Sequence, residues 1–192
     1  MKDNSIKQAV QALHRGEVIA FPTETTYGLG CDPRDAKALK QIFSLKERPH
    51  HKSMLLVASS FAQVEKVAFL RGAALQLAKK YWPGPLSLIL PVKPNASLAQ
   101  GVMYHGTVGI RFSSSPLVRQ LVRAFGFPIV ATSANHSGEE PARSVQEVLK
   151  SFGDRIPCIL DGGQLPKQKS STLVQCHEDG RIEIVRQGSI RL

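Results

Sequence analysis

The residues best suited to chemistry cluster directly beside short apolar runs. Pro22-Thr23-Glu24-Thr25-Thr26-Tyr27-Gly28-Leu29-Gly30 follows Val18-Ile19-Ala20-Phe21. Its threonine hydroxyls and bare glycine backbone suit oxyanions or small polar ligands, although the same composition also builds an ordinary hydrogen-bonded turn. Lys46-Glu47-Arg48-Pro49 supplies cations, with Lys52 close behind. Lys46 and Arg48 point apart in an extended loop and lie about 200° apart in a helix. Both reach the same phosphates only if the chain bends, for which Pro49 is placed; a solvated basic turn is the usual fate of such triplets. Arg111 lies inside the apolar run Val108-Gly109-Ile110-Arg111-Phe112. A cation there needs a carboxylate or a ligand anion, and its strand neighbours offer no acid, which favours a ligand. Thr132-Ser133-Ala134-Asn135-His136 follows Ile129-Val130-Ala131. Ser133 and Asn135, two apart, place a hydroxyl and an amide on one side of an extended segment, or build an Asx/Ser turn. Ser170-Ser171-Thr172 precedes a late strand and Arg186-Gln187-Gly188 follows one.

Other motifs fail on inspection. Gly101 to Thr107 has phosphate-loop glycine spacing but lacks the lysine and leads into a strand. Gly28-Leu29-Gly30 begins like a dinucleotide fingerprint, but Pro33 stands where the third glycine belongs. His50-His51 has no companions to complete a metal site, so no protein-held metal is expected.

The elements that must carry these residues alternate between helical and extended patterns. Helices are expected around Ile6-Val10-Leu13, Leu39-Ile42-Phe43, Ala74-Leu75-Ala78 and Leu117-Leu121-Val122. Ser115-Pro116 opens the last of these and Gly126 closes it. Ser144-Val145-Gln146-Glu147 reads as a capping box before a short helix. Strands are expected at Val18–Phe21, Met54–Ala58, Leu86–Leu90, Val108–Phe112, Ile129–Ala131, Cys158–Leu160, Thr172–Val174 and Ile182–Val185. This alternation predicts an α/β (α+β) fold, a mixed sheet flanked by helices in a single domain over 1–192.

Composition bounds the rest. The 192 residues are 42% hydrophobic and 21% charged, which excludes a disordered or fibrous chain. Lys and Arg total 25 against 15 Asp and Glu, a formal net charge of +10 that favours polyanionic partners. No apolar run suits a membrane span or a signal peptide, so no membrane partner is expected. Cys31, Cys158 and Cys176 form no Cys-x-x-Cys pair, and a reducing cytoplasm fits.

Taken in order, Pro-Thr-Glu-Thr-Thr-Tyr-Gly-Leu-Gly at Pro22, Lys-x-Arg at Lys46, Trp-Pro-Gly-Pro at Trp82, Val-Gly-Ile-Arg at Val108 and Ser-x-Asn at Ser133 resemble the YrdC family, the threonylcarbamoyl-adenylate synthases. The resemblance runs from about Val18 to Arg186 and matches the short form of that family. It implies a twisted mixed sheet with one concave basic face. It implies conversion of L-threonine, bicarbonate and ATP to threonylcarbamoyl-AMP and pyrophosphate, for the threonylcarbamoyladenosine modification of tRNA. Mg²⁺ would come with ATP. Other tRNA-threonylcarbamoylation proteins are implied as partners, with tRNA itself a further candidate. By similarity, Thr23, Arg111, Ala131 and Ser171 would hold threonine. Lys46, Arg48, Ser133 and Asn135 would carry the catalytic contacts to the phosphates, joined by Arg186, with Thr107 and Pro141 beside the nucleotide. His51 replaces a commonly acidic residue, and Gln187 a proline. Two alternatives share the fold: a non-catalytic RNA-binding or ribosome-maturation module, and a carbamoyl-adenylate domain of the hydrogenase-maturation type. The second normally sits in a long chain with zinc-binding cysteine pairs, which this sequence lacks.

Overall fold

Alternation along the first strand already sorts the protein into layers. Val18 and Ala20 face one apolar core, whereas Ile19 and Phe21 face a second. A computed structural model describes residues 2–48, 54–177 and 179–192. Its elements run α1 (Lys2–His14), β1 (Ile19–Pro22), β2 (Tyr27–Gly30), α2 (Ala36–Lys46), β3 (Leu56–Ala58), α3 (Phe61–Val67), α4 (Gly72–Tyr81) and β4 (Leu86–Pro91). They continue with β5 (Thr107–Phe112), α5 (Pro116–Phe125), β6 (Ile129–Val130), β7 (Thr132–Ser133), α6 (Val145–Phe152), β8 (Cys158–Ile159), β9 (Thr172–Cys176) and β10 (Ile182–Arg186). Pro49, His50, His51 and Lys52 lie outside the described residues, and so do the expectations attached to them.

The mixed sheet expected from the sequence is two sheets. One has the order β7-β2-β1-β8 and the other β10-β9-β4-β5-β3-β6. Both contain parallel and antiparallel pairs: β1 runs parallel to β8, β3 to β5 and β4 to β9, and the remaining neighbours are antiparallel. The segment read as one strand from Ile129 changes sheets at Ala131. Before it, β6 pairs with β3; after it, β7 pairs with β2. At the crossing the Val130 N–H donates to the Cys31 carbonyl (3.0 Å) and the Ala131 N–H to the Leu55 carbonyl (2.8 Å). The two β ladders therefore meet along one stitched seam.

Glycine makes that approach possible. A Cβ on Gly30 would collide with the Val130 carbonyl oxygen and come within 2.6 Å of Phe21 Cε1. Tyr27–Gly30, read from the sequence as part of a polar loop, is thus a buried strand whose glycines admit neighbouring backbone.

Helices α1 and α5 cover the outer face of β1 through Ala9, Leu13, Val118, Leu121 and Phe125. The larger core gathers α2, α4 and α6 around β4 and β5. Helix boundaries follow local chemistry. Ser115 Oγ caps Val118 N–H, Pro116 occupies the first turn and Gly126 ends α5 at φ 79°. Ser144 Oγ accepts from Glu147 N–H, while Glu147 reaches back one residue further than a capping box requires, to Arg143 N–H (2.7 Å). Helix α3, capped by Ser60, was not expected; it is seven residues long and carries too few turns to show a period. Among the described residues no helix is long and apolar enough to cross a membrane.

Replacing Gly30 by alanine forces a methyl group into the seam. Gly30→Ala is expected to destabilise the protein by about 2–3 kcal/mol, the scale of overpacking a filled core. Urea denaturation would measure it, and a loss under about 0.5 kcal/mol would mean the seam yields freely.

Candidate active site

The β1–β2 connection, β5, β7 and β10 end around one cavity of about 770 Å³, within the range of small-molecule sites. Thr23, Arg48, Arg111, Ala131, Ser133, Pro141, Ser171 and Arg186 line it. Members of both predicted sets, for the amino acid and for the phosphates, therefore share one hollow.

Each arrives by a local device. Arg48 follows α2, whose last turn is closed by Glu47 in the left-handed region at φ 51°, with the Arg48 N–H on the Phe43 carbonyl (3.0 Å). The chain turns at Glu47, and the turn carries Arg48 into the cavity wall. Arg111 sits on β5 opposite Val57 of β3. Its partner is an acid from elsewhere: Glu24 Oε1 lies 3.4 Å from Arg111 Nη1. Of the two partners open to this cation, a carboxylate or a ligand anion, the sequence favours the ligand; the structure supplies a carboxylate, from the β1–β2 connection rather than from a strand neighbour.

Arg186 ends β10 beside a register shift between Ile184 and Arg186. Its Nη2 donates to the Ser171 carbonyl (3.0 Å) and to Ser171 Oγ (3.1 Å), and Ser171 Oγ also contacts Ser87 Oγ at 3.0 Å. Thr23 lines the cavity, yet its hydroxyl is engaged locally: it donates to the Thr26 carbonyl (2.7 Å) and accepts from the Thr25 and Thr26 N–H groups. Ala131, also in the lining, donates its N–H to the Leu55 carbonyl (2.8 Å).

Three predicted residues do not line the cavity. The Lys46 side chain is buried and turns inward, donating to the Ser133 carbonyl, the Asn135 carbonyl (2.8 Å) and Asn135 Oδ1 (3.3 Å). Asn135 Nδ2 donates to the His136 and Glu139 carbonyls, 2.7 and 2.8 Å away. Together they brace the backbone that presents Ser133. Thr107 Oγ1 donates to the Tyr104 carbonyl (2.7 Å), and the neighbouring Tyr104 lines the cavity in its place. Sequence reasoning passed over Glu24, Arg143, Tyr104 and Lys167, of which the last three are cavity-lining. Glu24 stood inside a motif already singled out, and the signal for it was the lone cation at Arg111.

Electrostatics follow from this crowding. Burial lowers the pKa of Arg48. Burial first, then the charges of Arg111 and Arg48, lower that of Arg186. Both stay charged near neutrality, because guanidinium titrates so far above it. Among the described residues no group of three or more His, Cys, Asp or Glu gathers to hold a metal ion. The site can orient anions and stabilise negative charge.

Lys46 behaves differently. Burial, with Arg48 nearby, pulls it from 10.5 down to about 8. Between those values the unfolded chain holds a proton that the folded chain has lost, so stability rises with pH there. Relative to Lys46→Met, the wild-type protein should gain stability between about pH 7 and about pH 9.5 in urea denaturation. A flat difference would return Lys46 to its ordinary titration.

Comparisons with known proteins now bear on this geometry. The Sua5/YciO/YrdC family profile, described as telomere recombination, matches residues 11–188. Threonylcarbamoyl-AMP synthase of Vibrio vulnificus (strain YJ016) is 36% identical over 190 residues, covering 96% of this chain and 99% of that protein. The threonylcarbamoyl-AMP synthase of Marinobacter nauticus is 40% identical over 171 residues, covering 86% and 88%. The crystal structure of P. abyssi Sua5 complexed with L-threonine has a TM-score of 0.86 and 34% identity. It covers 95% of this chain, which spans 54% of that longer one. E. coli YciO has a TM-score of 0.85 at 28% identity, covering 98% and 90%. With a family match across most of its length and relatives of this identity aligned end to end, the chain belongs to the Sua5/YciO/YrdC family.

Proposed function

We propose that this protein is an L-threonylcarbamoyladenylate synthase, a nucleotidyltransferase that makes threonylcarbamoyl-AMP and pyrophosphate from L-threonine, bicarbonate and ATP. The observation that carries the reading is the convergence of Arg48, Arg111 and Arg186 with Ser133 and Ser171 on one cavity. Every substrate is anionic or carries a carboxylate. A hollow rich in guanidinium and hydroxyl groups matches that set. The Vibrio vulnificus and Marinobacter nauticus relatives are named threonylcarbamoyl-AMP synthases, and a Sua5 structure holds L-threonine.

The chemistry asks mainly for placement. The threonine amine condenses with bicarbonate to a carbamate, releasing water. A carbamate oxygen then attacks the α-phosphorus of ATP, and the bond to the β-phosphate oxygen breaks as pyrophosphate leaves. Arg111, with its planar fork, would hold the threonine carboxylate, near Thr23, Ser171 and the Ala131 carbonyl. Arg48 and Arg186 would face the phosphates, with Ser133 beside them and Pro141 against the nucleotide. Lys46 and Asn135 would act from behind by fixing the Ser133 backbone. Mg²⁺ would enter as part of the ATP substrate, held by phosphate oxygens and water. The product would serve the threonylcarbamoyladenosine modification of tRNA, through other proteins of that process, in the cytoplasm.

Pyrophosphate release is expected to need both threonine and bicarbonate, with the acyl-adenylate visible by mass spectrometry. Release that ignores threonine would sink the reading. Arg48→Ala and Arg111→Lys should each lower turnover about 10²-fold, the scale of one preorganised electrostatic contact. Lysine is preferred at Arg111, because alanine would leave Glu24 as an uncompensated buried charge. Lys79→Ala, on the exposed face of α4 and outside the cavity lining, is expected to keep normal turnover and serves as the control.

A further inference from the structure

Glu24 is an acid that the reaction just described leaves without a part. It sits in the β1–β2 connection, its side chain 13% exposed, and does not itself line the cavity. Its two oxygens have unlike surroundings. Oε2 accepts a short hydrogen bond from Ser113 Oγ at 2.5 Å. Oε1 is buried without any hydrogen bond, 3.4 Å from Arg111 Nη1. Arg111 and Ser113 are two apart along the β5 direction and so project to the same side, which brings both to one carboxylate. Ser113 is fully buried, and its Oγ also accepts from the Ser115 N–H at 3.1 Å. Ser115 is the N-cap of α5, so the hydroxyl that seats Glu24 is tied to a helix terminus.

This geometry matters because of the company Arg111 keeps. Arg186 feels the charges of both Arg111 and Arg48. A guanidinium among like charges is pushed toward solvent unless an anion holds it. Glu24 supplies that anion without itself lining the hollow, whereas Arg111 does line it.

We infer that Glu24 is a positioning residue which, seated by Ser113, orients the Arg111 guanidinium toward the carboxylate of the amino-acid substrate and so sets affinity for threonine rather than for ATP. This rests on the threonine-binding role proposed for Arg111 above. A salt bridge that merely stabilised the fold would lower the melting temperature and disturb both substrates alike. A positioning role separates them.

The test is steady-state pyrophosphate release by the full chain, titrating threonine at saturating ATP and ATP at saturating threonine. Glu24→Gln keeps the shape and removes the charge. It is expected to raise the KM for threonine about tenfold, as the charge that orients Arg111 is lost, with the KM for ATP within about twofold. Ser113→Ala loosens the carboxylate without touching the ion pair and should raise the threonine KM about threefold. It supplies the answer if Glu24→Gln fails to fold. Unchanged threonine KM in the folded variants, or equal rises for both substrates, would overturn the inference alone. Wild-type protein without threonine-dependent release would overturn the functional reading, and the inference with it.

Discussion

Like charges brought together in a half-buried hollow repel, and that repulsion is the constraint the rest of the structure has to meet. Arg48 comes from the end of α2, Arg111 from β5 and Arg186 from β10. Burial disfavours the charges of Arg48 and Arg186, and proximity adds to the penalty at Arg186. The fold offsets this with fixed negative charge and dipoles: Glu24 against Arg111, and the Ser171 carbonyl and hydroxyl against Arg186. An anion entering the hollow would relieve repulsion that folding could only partly compensate, so ligand binding and stability should rise together.

A fourth cation shows the opposite solution. Lys46 precedes Arg48 by two residues and faces inward, against the carbonyl oxygens of Ser133 and Asn135. A compact ammonium with three donors suits a cluster of converging oxygens, whereas a planar guanidinium suits a carboxylate or phosphate at a surface. One basic motif thus splits into a structural brace and a cavity-lining group. The left-handed turn at Glu47 separates the two.

Much of this organisation could be read from residue order. Helix α5 lies where Ser115, Pro116 and Gly126 put it, because caps act within a turn of themselves. The apolar runs became strands, and the polar clusters beside them line one cavity. What escaped reading depends on distant chain. Glu24 meets Ser113 across 89 residues, and no local pattern announces such a pairing. Spacing gave the angle between Lys46 and Arg48 but not which of them would find carbonyl oxygens. Strand β2 was obscured by Gly28 and Gly30, which weaken any strand signal while permitting the close packing that the strand requires. Division into two sheets turns on single hydrogen bonds at Val130 and Ala131, below the resolution of any periodicity.

The strand order has a consequence for how the molecule comes into being. Strands β1, β2, β7 and β8 make one sheet, while β3 to β6 and then β9 and β10 make the other, so the chain visits each sheet twice. Neither can close early during synthesis, because β4 waits for β9 and β1 waits for β8. Arg186 is the last of the cavity arginines to emerge from the ribosome. A nascent chain would therefore lack an anion-binding hollow until nearly all of its other strands had been made, and it would acquire binding competence and its final tertiary shape in the same late event.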